Sequence, residues 1–305
     1  MKRTIIVALS ILAAMILCGC DQPEGGSVFA LEPLMIGVSP IGPDGFSQLN
    51  RGMNVPADSE EFVDQAIEMI EAGATVVNVL PLSYRPTSRD DFFDLTRVGY
   101  ETICYEIRQT YLHTRFIWDL TAAEDIDELY ELTKGDPYFA LHSVFIGDTW
   151  VNQQVYDEKP MDDMLWQFWS DRDKEIKPLP VINQESNITR FQEIWKEWDF
   201  YLPQYVQMWF TGGLALEPTA ANYYMVRAQL PKYTTGAIVV CEGDNWKEIC
   251  DAAIENGDHV MVGLHYSEAE ESNVSFVRYC VEKAKEIGRP VANFKQTVAQ
   301  LGVFR

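Results

Sequence analysis

The sequence predicts a closed (β/α)8 barrel, an α/β fold of the TIM type, as a single domain over residues 34–305. Short apolar runs alternate eight times with segments of helical periodicity, and such runs are typical of parallel strands covered on both faces. Eight strand–helix units match a closed barrel better than an open doubly wound sheet. No run is followed by a G-x-G-x-x-G segment, which disfavours a dinucleotide-binding sheet.

The eight strands are predicted at the apolar runs, which begin with LMIGVS at residues 34–39 and end with HVMVGL at 259–264. Each run has the length of a buried strand rather than that of a helix. The other predicted strands are 75–80, 115–120, 138–146, 179–183, 205–210 and 236–241.

Caps and apolar spacing predict the helices between the strands. The first helix begins at Asp58 or Ser59, either of which can cap it, and ends at Glu71 before Gly73, where a helix end favours positive φ. The later helices are predicted at 89–111, 123–134, 187–199, 219–229, 245–256, 273–286 and 293–301, with another beginning at Met161. The bounds of the fourth unit stay open, because residues 148–177 form a long, aromatic-rich segment.

The composition is that of an acidic globular protein. The chain has 305 residues, of which 47% are hydrophobic, and this fraction excludes a disordered or collagen-like chain. With 24 Lys and Arg against 46 Asp and Glu, the formal net charge is −22. A nucleic-acid partner is therefore not expected, since phosphate binding needs clustered basic side chains.

Residues 1–19 are predicted to be an export signal rather than part of the barrel. Lys2 and Arg3 precede an apolar run at 5–17, which is shorter than the roughly 20 residues of a spanning helix. The run ends in LCGC at 17–20, which resembles the bacterial lipobox and implies cleavage before Cys20 and acylation of that residue. Residues 20–33 then form the acylated cysteine and a flexible tether. An ordinary secretory signal is the alternative.

These features predict an exported bacterial lipoprotein, anchored by lipid in the cell membrane or the outer membrane. Four cysteines lie in the barrel domain, and their pairing is left open by the sequence. Helical spacing among apolar residues favours buried thiols for most of them. The four are Cys104, Cys241, Cys250 and Cys280.

The chemistry of such a barrel lies at the carboxyl ends of its strands, an end called here the barrel mouth. That rule selects a set of polar residues rich in carboxylates, amides and histidine and poor in Lys and Arg, which disfavours a phosphate-rich ligand. The set comprises Asn78, Asp119, Thr121, His142, Asp148, Asn183, Glu185, Cys241, Glu242, His265 and Tyr266. Seven tryptophans in the middle of the chain, among them Trp209, either line a ligand pocket or pack the barrel.

Three stretches carry a family resemblance. They are EAGATVVNVL at 71–80, TGG at 211–213 with EPT at 217–219, and HVMVGLH at 259–265, which continues to GRPVA at 288–292. In order and spacing they resemble the β-keto acid cleavage enzymes, also called 3-keto-5-aminohexanoate cleavage enzymes, from about residue 34 to residue 303. The resemblance implies a (β/α)8 barrel. It also implies a coenzyme A-dependent reaction in which a divalent metal, usually zinc, polarises a β-keto acid.

The resemblance also implies where the family's metal ligands fall in this chain. The His-x-His pair at strand two falls on Asn78 and Leu80, and the ligating Glu at strand eight falls on His265. Leucine cannot bind a metal and a neutral amide binds it weakly, whereas a catalytic zinc needs three protein ligands from His, Cys or carboxylate. We therefore expect no metal site and no cofactor. A rebuilt site would need His265 together with side chains such as His142, Cys241, Glu242 or Asp119.

Other family positions are altered as well. The Asp after the ligating Glu falls on Tyr266, and the Arg four residues before that Glu falls on Met261, so the cation that steadies an anionic intermediate is lost. The catalytic Ser at strand three falls on Thr121, which keeps a hydroxyl. Coenzyme A is a cytosolic metabolite, which also argues against the family reaction in an exported protein.

The expected function is binding of a small polar organic ligand at the barrel mouth, without the coenzyme A-dependent reaction. Catalytic roles, where any survive, are expected for His265, Thr121 and Glu242. Ligand contacts are expected from Asn78, Tyr266, Asp119 and Glu185. The alternatives are an active metal-dependent β-keto acid cleavage enzyme, or an exported glycoside hydrolase with Asp148 and Glu242 as its carboxylate pair. A homo-oligomer is implied by resemblance only.

Overall fold

The computed structural model describes residues 31–41, 48, 51–79, 102–112, 114–119, 141–146, 177–197, 203–213, 215–232 and 234–302. Their compact unit spans Glu32–Arg305. Four named residues lie outside the described part of the chain: Cys20, Leu80, Thr121 and Asp148. The predicted export signal, residues 89–101 of the predicted helix 89–111, the predicted helix 123–134 and the segment 148–176 lie outside it as well. No helix in the described part of the chain is long and apolar enough to cross a membrane.

Eight parallel strands form a closed barrel in chain order, which confirms the predicted fold class. Each strand pairs with the next, and the last pairs with the first through Ile36–Val260 and Val38–Val262. The strands are β1 Ile36–Val38, β2 Val76–Val79, β3 Arg115–Asp119, β4 Leu141–Phe145, β5 Lys177–Ile182, β6 Tyr205–Trp209, β7 Gly236–Val240 and β8 His259–Val262.

The strand bounds differ from the predictions mainly at β5. This strand begins at Lys177, two residues earlier than expected, and includes Pro178 and Pro180. Proline lacks the amide that a central strand normally donates, so it argues against strand from sequence alone. The segment is a strand all the same, because Leu141–Phe145 pairs with residues 177–181, and the carbonyl of Pro178 also accepts from Gln204 Nε2 at 3.1 Å. β1 is shorter than predicted, with Leu34 forming only an isolated bridge to Val291.

Helices surround the barrel and bury one face each. They are α1 Ser59–Ala72, α2 Glu185–Glu197, α3 Ala220–Gln229, α4 Trp246–Glu255, α5 Asn273–Glu286 and α6 Phe294–Leu301, and residues 102–110 are also helical. In α1 the cap is Asp58, whose carboxylate accepts from the amide of Glu61, and Gly73 ends the helix with φ 130°. α2 begins two residues earlier than predicted, because the Asn187 side chain accepts from the amides of Asn183 and Gln184 and orders this turn.

Arg289 closes the amino-terminal end of the barrel. Its guanidinium donates to four carbonyls at 2.7–2.9 Å, those of Glu32, Ile254, Gly257 and Asp258. Only 3% of the residue is exposed, so these bonds replace water around a buried cation. The buried positive charge therefore lies at the end opposite the barrel mouth.

The cysteines of the barrel domain are buried. Cys104 and Cys241 lie in the core, and the sulfurs of Cys250 on α4 and Cys280 on α5 are 3.5 Å apart. These positions agree with the helical spacing that favours buried thiols.

Candidate functional site

The turn after β8 places two of the predicted site residues at the barrel mouth. Gly263 has φ 137°, and a Cβ there would lie 2.2 Å from the carbonyl oxygen of Ser39. Only glycine allows the chain to pass this close to the end of β1. The amide of His265 then donates to the same Ser39 oxygen at 3.3 Å, and Asn273 accepts from the amide of Leu264 at 2.9 Å. These contacts fix the positions of His265 and Tyr266.

The His265 imidazole lies among polar and aromatic partners. Its Nδ1 shares a hydrogen bond of 2.8 Å with Ser39 Oγ, and its ring stacks on Tyr266 at a centroid distance of 4.2 Å. The edge of Trp209 packs at 5.8 Å. Burial lowers the pKa of His265 to about 3, because the charged form is poorly solvated here. His265 is therefore neutral at physiological pH and works as a hydrogen-bonding group rather than as a cation.

Asn78, Tyr266 and Met261 form a hydrogen-bonded chain across the barrel. Asn78 Nδ2 on β2 donates to the Tyr266 hydroxyl at 3.0 Å. That hydroxyl donates to the Met261 sulfur at 2.8 Å. Gln207 Nε2 on β6 approaches the same sulfur at 3.7 Å. We call Asn78, Gln207, Met261 and Tyr266 the neutral cluster, because none of these side chains is charged at physiological pH.

Two carbonyl oxygens of the neutral cluster lack partners. Asn78 Oδ1 and Gln207 Oε1 are buried and accept no hydrogen bond within the part of the chain that the structure describes. Each residue is only 1% exposed. A buried acceptor without a donor costs free energy, so such atoms in a native site indicate groups that a ligand or water satisfies.

Glu242 lies beside the neutral cluster, two residues beyond the end of β7. Its carboxylate accepts from Trp209 Nε1 at 2.5 Å, and the Trp209 ring packs edge-on against Tyr266 at 5.7 Å. Burial raises the pKa of Glu242 to about 7, although the Trp209 hydrogen bond acts in the opposite direction. A carboxyl that titrates near neutrality can give and take protons under physiological conditions.

Four predicted residues thus meet at the barrel mouth: Asn78, Glu242, His265 and Tyr266. The other predicted residues do not join them in the described structure. Glu185 is the first residue of α2 and is exposed, so the structure gives no support to its predicted ligand contact. Asp119 ends β3 with its backbone opposite Ser143, and its side chain, like that of His142, lies outside the described structure. Thr121 and Asp148 lie outside the described residues altogether.

Three further residues of the site are Ser39, Gln207 and Trp209. The sequence left open whether Trp209 lines a ligand pocket or packs the barrel, and the structure places it in the site through its contacts with Glu242, His265 and Tyr266. The other two were not predicted. Gln207 is the only polar side chain within the buried YVQMW strand, and this interruption of an apolar run is a signal that could have identified it. Ser39 follows β1 and carries the hydroxyl that meets His265.

The donor set here does not fit the divalent metal that the resemblance implies. At the first ligand position Asn78 offers a neutral amide oxygen in place of an imidazole, which is a weak ligand for zinc, and its amide nitrogen donates to Tyr266. The second position is Leu80, which has no donor atom. The third, His265, has its Nδ1 engaged with Ser39. Within the described ranges, no group of three or more His, Cys, Asp and Glu side chains could hold a metal ion.

A comparison with protein families decides the relationship. The family model for beta-keto acid cleavage enzymes matches residues 33–303. The chain belongs to this family. No curated protein sequence matches this chain significantly. The beta-keto acid cleavage enzyme fold is therefore established here, while the altered residues at the barrel mouth distinguish this member from the pattern that the resemblance implies.

Solved structures support the same fold. Apo ObcA matches with a TM-score of 0.58 at 13% identity, over 82% of this chain and 65% of the ObcA chain. ObcA in complex with oxaloacetate matches with the same score and identity, over 82% of this chain and 67% of that one. A truncated 3-deoxy-D-arabino-heptulosonate 7-phosphate synthase from Thermotoga maritima matches with a TM-score of 0.51 at 14% identity, over 86% and 90%. This chain thus spans about two thirds of the ObcA length, and the likeness concerns the fold.

Proposed function

We propose that this protein is a divergent, membrane-tethered member of the beta-keto acid cleavage enzyme family that binds a small polar organic ligand at the barrel mouth and does not catalyse the metal- and coenzyme A-dependent reaction. The observation that carries the proposal is the neutral cluster. Asn78, at a position that a metal-binding histidine takes in the family, is bonded to Tyr266 and through it to Met261.

The chemistry of these three side chains supports loss of the family reaction. Stabilising an anionic intermediate requires a positive charge aimed at the place where negative charge develops. The neutral cluster offers an amide, a phenol and a thioether instead, and His265 is kept neutral by burial, which lowers its pKa. Arg51 lies at the exposed rim in its pair with Glu268, and no cationic side chain is among the described residues of the neutral cluster or among its described contacts.

Binding of a polar molecule is supported by the groups that remain. His265 and Tyr266 offer hydrogen-bonding atoms beside aromatic rings, and Asn78 and Gln207 keep free acceptor oxygens. Small-molecule sites commonly combine apolar walls with a few convergent polar groups of this kind. We assign ligand contacts to Asn78, Tyr266 and His265, and proton transfer, if any takes place, to His265 and Glu242. We include two further groups at the end of strand three in the proposed site, the carboxylate of Asp119 and the hydroxyl of Thr121.

A screen of the full-length protein tests the binding proposal. The indole N–H signal of Trp209, assigned by its loss in Trp209→Phe, is followed by NMR against a panel of metabolites that includes oxaloacetate, the ligand in the ObcA complex. We expect saturable shifts for at least one panel member, and we expect His265→Ala to abolish them. Binding that survives His265→Ala unchanged, or a panel without any saturable shift, contradicts the proposal.

An activity assay tests the second half of the proposal. The protein is incubated with zinc, acetyl-CoA and β-keto acids, and formation of new acyl-CoA is followed by mass spectrometry. No turnover above the rate of the His265→Ala control is expected. Turnover that depends on added zinc and on His265 would instead establish an active beta-keto acid cleavage enzyme.

The tether and the assembly state are separate proposals. Lipid attachment at Cys20 is supported by the LCGC segment and predicts labelling by an alkyne analogue of palmitate that Cys20→Ala eliminates. Labelling that persists in Cys20→Ala contradicts acylation at this residue. A homo-oligomer is supported by the family resemblance alone, and light scattering of the purified protein tests it.

A further inference from the structure

Three of the buried cysteines lie together in the layer between the barrel wall and its helices. Cys241 is the first residue after β7, Cys250 lies in the middle of α4, and Cys280 lies in the middle of α5. The sulfurs of Cys250 and Cys280 are 3.5 Å apart, and Cys250 also hydrogen-bonds to Cys241. We call these three residues the thiol cluster. All three are fully buried, and the proposed ligand binding at the barrel mouth does not use them.

The contacts on either side of the Cys250–Cys280 pair hold α4 and α5 together. About one turn before the pair, the rings of Trp246 and Phe276 are 4.7 Å apart. About one turn after it, the ammonium group of Lys283 lies 2.6 Å from the carboxylate of Glu255. The two thiols therefore face each other in the middle of a well-packed helix pair. Only a small rotation of their side chains is needed to bring the sulfurs to bonding distance.

Cys241 is the competing partner within the thiol cluster. Its amide donates to the carbonyl of Met261 at 3.0 Å, and its thiol donates to the carbonyl of Val239 at 3.5 Å. These bonds hold Cys241 in the wall of the closed barrel, where the backbone has little freedom to shift. The helices α4 and α5 lie outside that wall and can adjust to each other. The geometry therefore favours a bond between the two helices.

Cys250 is the thiol best prepared for attack on a disulfide. Burial raises the pKa of Cys250, but hydrogen bonds from Cys241 and Cys280 oppose this effect and lower the pKa to about 6. Burial raises the pKa of the other two thiols well above the ordinary value. The thiolate is the nucleophile in thiol–disulfide exchange, so Cys250 reacts first and Cys280 second.

We propose that Cys250 and Cys280 form a disulfide that joins α4 to α5 when the chain folds in the presence of a disulfide oxidant. Exported proteins fold under such conditions, whereas cytosolic thiols are kept reduced. The inference therefore rests on the proposed export, and it adds a modification site that ligand binding does not require. The bond joins the two strand–helix units that carry Glu242 and His265.

The exchange has two steps. The Cys250 thiolate attacks one sulfur of the oxidant's disulfide, forms a mixed disulfide and releases the other sulfur as a thiolate. The Cys280 thiolate then attacks the Cys250 sulfur and releases the second sulfur of the oxidant. Two electrons and two protons thus pass from the pair to the oxidant, which leaves as two thiols. Because both sulfurs are buried in the folded chain, the exchange takes place during folding, before α5 packs on α4.

Peptide mapping identifies the pair, because trypsin places the three cysteines in different peptides. Cleavage after Lys and Arg gives residues 233–247 with Cys241, 248–278 with Cys250 and 279–283 with Cys280. The full-length protein is isolated from cells, and a second sample is reduced, unfolded in urea and refolded with oxidised glutathione. Unreacted thiols are blocked with N-ethylmaleimide under denaturing conditions before digestion. We expect 248–278 to be joined to 279–283 in both samples.

Two alanine variants locate the effect on stability. The disulfide closes a loop between residues 30 positions apart, and we expect the oxidised wild-type protein to melt about 5 °C or more above the reduced protein. Cys280→Ala should lose this difference. Cys104→Ala is the matched control, because Cys104 is equally buried, and it should keep the difference. A difference that persists in Cys280→Ala, or that is absent from the wild type, overturns the assignment.

The outcomes separate this inference from the proposed export and from the proposed ligand binding. If the refolded protein contains the Cys250–Cys280 bond and the protein from cells does not, the pair is correct and export to an oxidising compartment is wrong. If neither sample contains the bond, or if Cys250 is joined to Cys241 instead, the inference is wrong. The metabolite panel that is followed through Trp209 tests ligand binding independently of either result.

Discussion

The amide of Asn78 on β2 donates a hydrogen bond of 3.0 Å to the hydroxyl of Tyr266, which lies beyond the end of β8. The two residues are 188 positions apart in the chain and meet because β1, which pairs with both strands, brings them to the same end of the closed barrel. The bond joins the position of the family's first metal-ligating histidine to the position that follows its ligating Glu. It is the contact on which both the proposed function and the following prediction depend.

Tyr266→Phe removes that hydroxyl without changing the ring. It leaves Asn78 Nδ2 buried without an acceptor, and we expect the free energy of unfolding to fall by about 1–3 kcal/mol. Tyr111→Phe is the control, because the Tyr111 hydroxyl bonds to Glu71 at an exposed position and its loss should cost under about 0.5 kcal/mol. Urea denaturation of both variants measures the difference. Equal losses would show that the Asn78–Tyr266 bond carries no special stability.

The raised pKa of Glu242 predicts a pH dependence of stability. The folded value is about 7 against an ordinary 4.5, so the folded protein holds this proton more tightly than the unfolded chain does. The contribution to stability is fully present below about pH 4.5 and is lost as pH rises through 7. We expect the loss to be about 1–3 kcal/mol, given partial exposure to solvent.

Glu242→Gln removes this titration while His265 still titrates. The pKa of His265 is lowered to about 3, so His265 opposes folding only as pH falls below its ordinary value of 6.5. The difference between the wild-type and Glu242→Gln curves of thermal unfolding against pH therefore isolates Glu242. A difference that does not change between about pH 4.5 and 7 would mean that this carboxyl has an ordinary pKa.

Gln207→Met tests whether the unpartnered Gln207 oxygen is kept for a ligand. The substitution nearly conserves volume and replaces a buried acceptor that lacks a donor. We expect the ligand-free protein to gain about 1 kcal/mol of stability, because the desolvation penalty disappears. Binding of any metabolite that the NMR panel identifies should weaken at the same time. Residues that serve binding commonly show this exchange of stability for function. A loss of stability in the ligand-free protein would argue that Gln207 has a structural role instead.

Arg289→Lys tests the buried cation at the amino-terminal end. The lysine keeps the charge but cannot reach the carbonyls of Glu32, Ile254, Gly257 and Asp258 together, so several buried acceptors lose their donor. We expect a loss of about 2–4 kcal/mol with no change at the barrel mouth. The control is Arg190→Lys, whose pair with Glu193 is at the surface of α2. Differential scanning calorimetry distinguishes the two, and equal shifts in melting temperature would contradict the prediction.

The barrel was predictable because its signal is local and repeated. Apolar runs separated by capped helices fix eight parallel strands, and the closure of β8 on β1 then follows from their number. The start of β5 was not predictable, since Pro178 and Pro180 lack the amides that a strand donates and therefore argue against a strand. The pairing of this segment with β4 depends on the whole barrel, which local rules do not include.

The candidate site was predictable only at strand ends. Asn78, Glu242, His265 and Tyr266 follow from the rule that chemistry lies at the carboxyl ends, and the structure brings these four residues together. Gln207 lies inside a strand, where a polar residue in an apolar run has no defined direction until the register is known. Glu185 satisfied the rule for strand ends, yet it belongs to the first turn of α2 and is exposed. Sequence position at a strand end therefore does not fix side-chain direction.

Zinc titration of the full-length protein tests the central claim most directly. The claim is that the family's metal-ligand positions no longer hold a metal ion, because Asn78 is part of the neutral cluster and Leu80 and His265 stand at the other two positions. Calorimetry and elemental analysis should show no stoichiometric zinc in the wild-type protein, whereas the triple variant Asn78→His, Leu80→His and His265→Glu should gain one ion per chain. One tightly bound zinc ion per wild-type chain that is lost in His265→Ala would contradict the claim. That result would favour the alternative of an active metal-dependent enzyme.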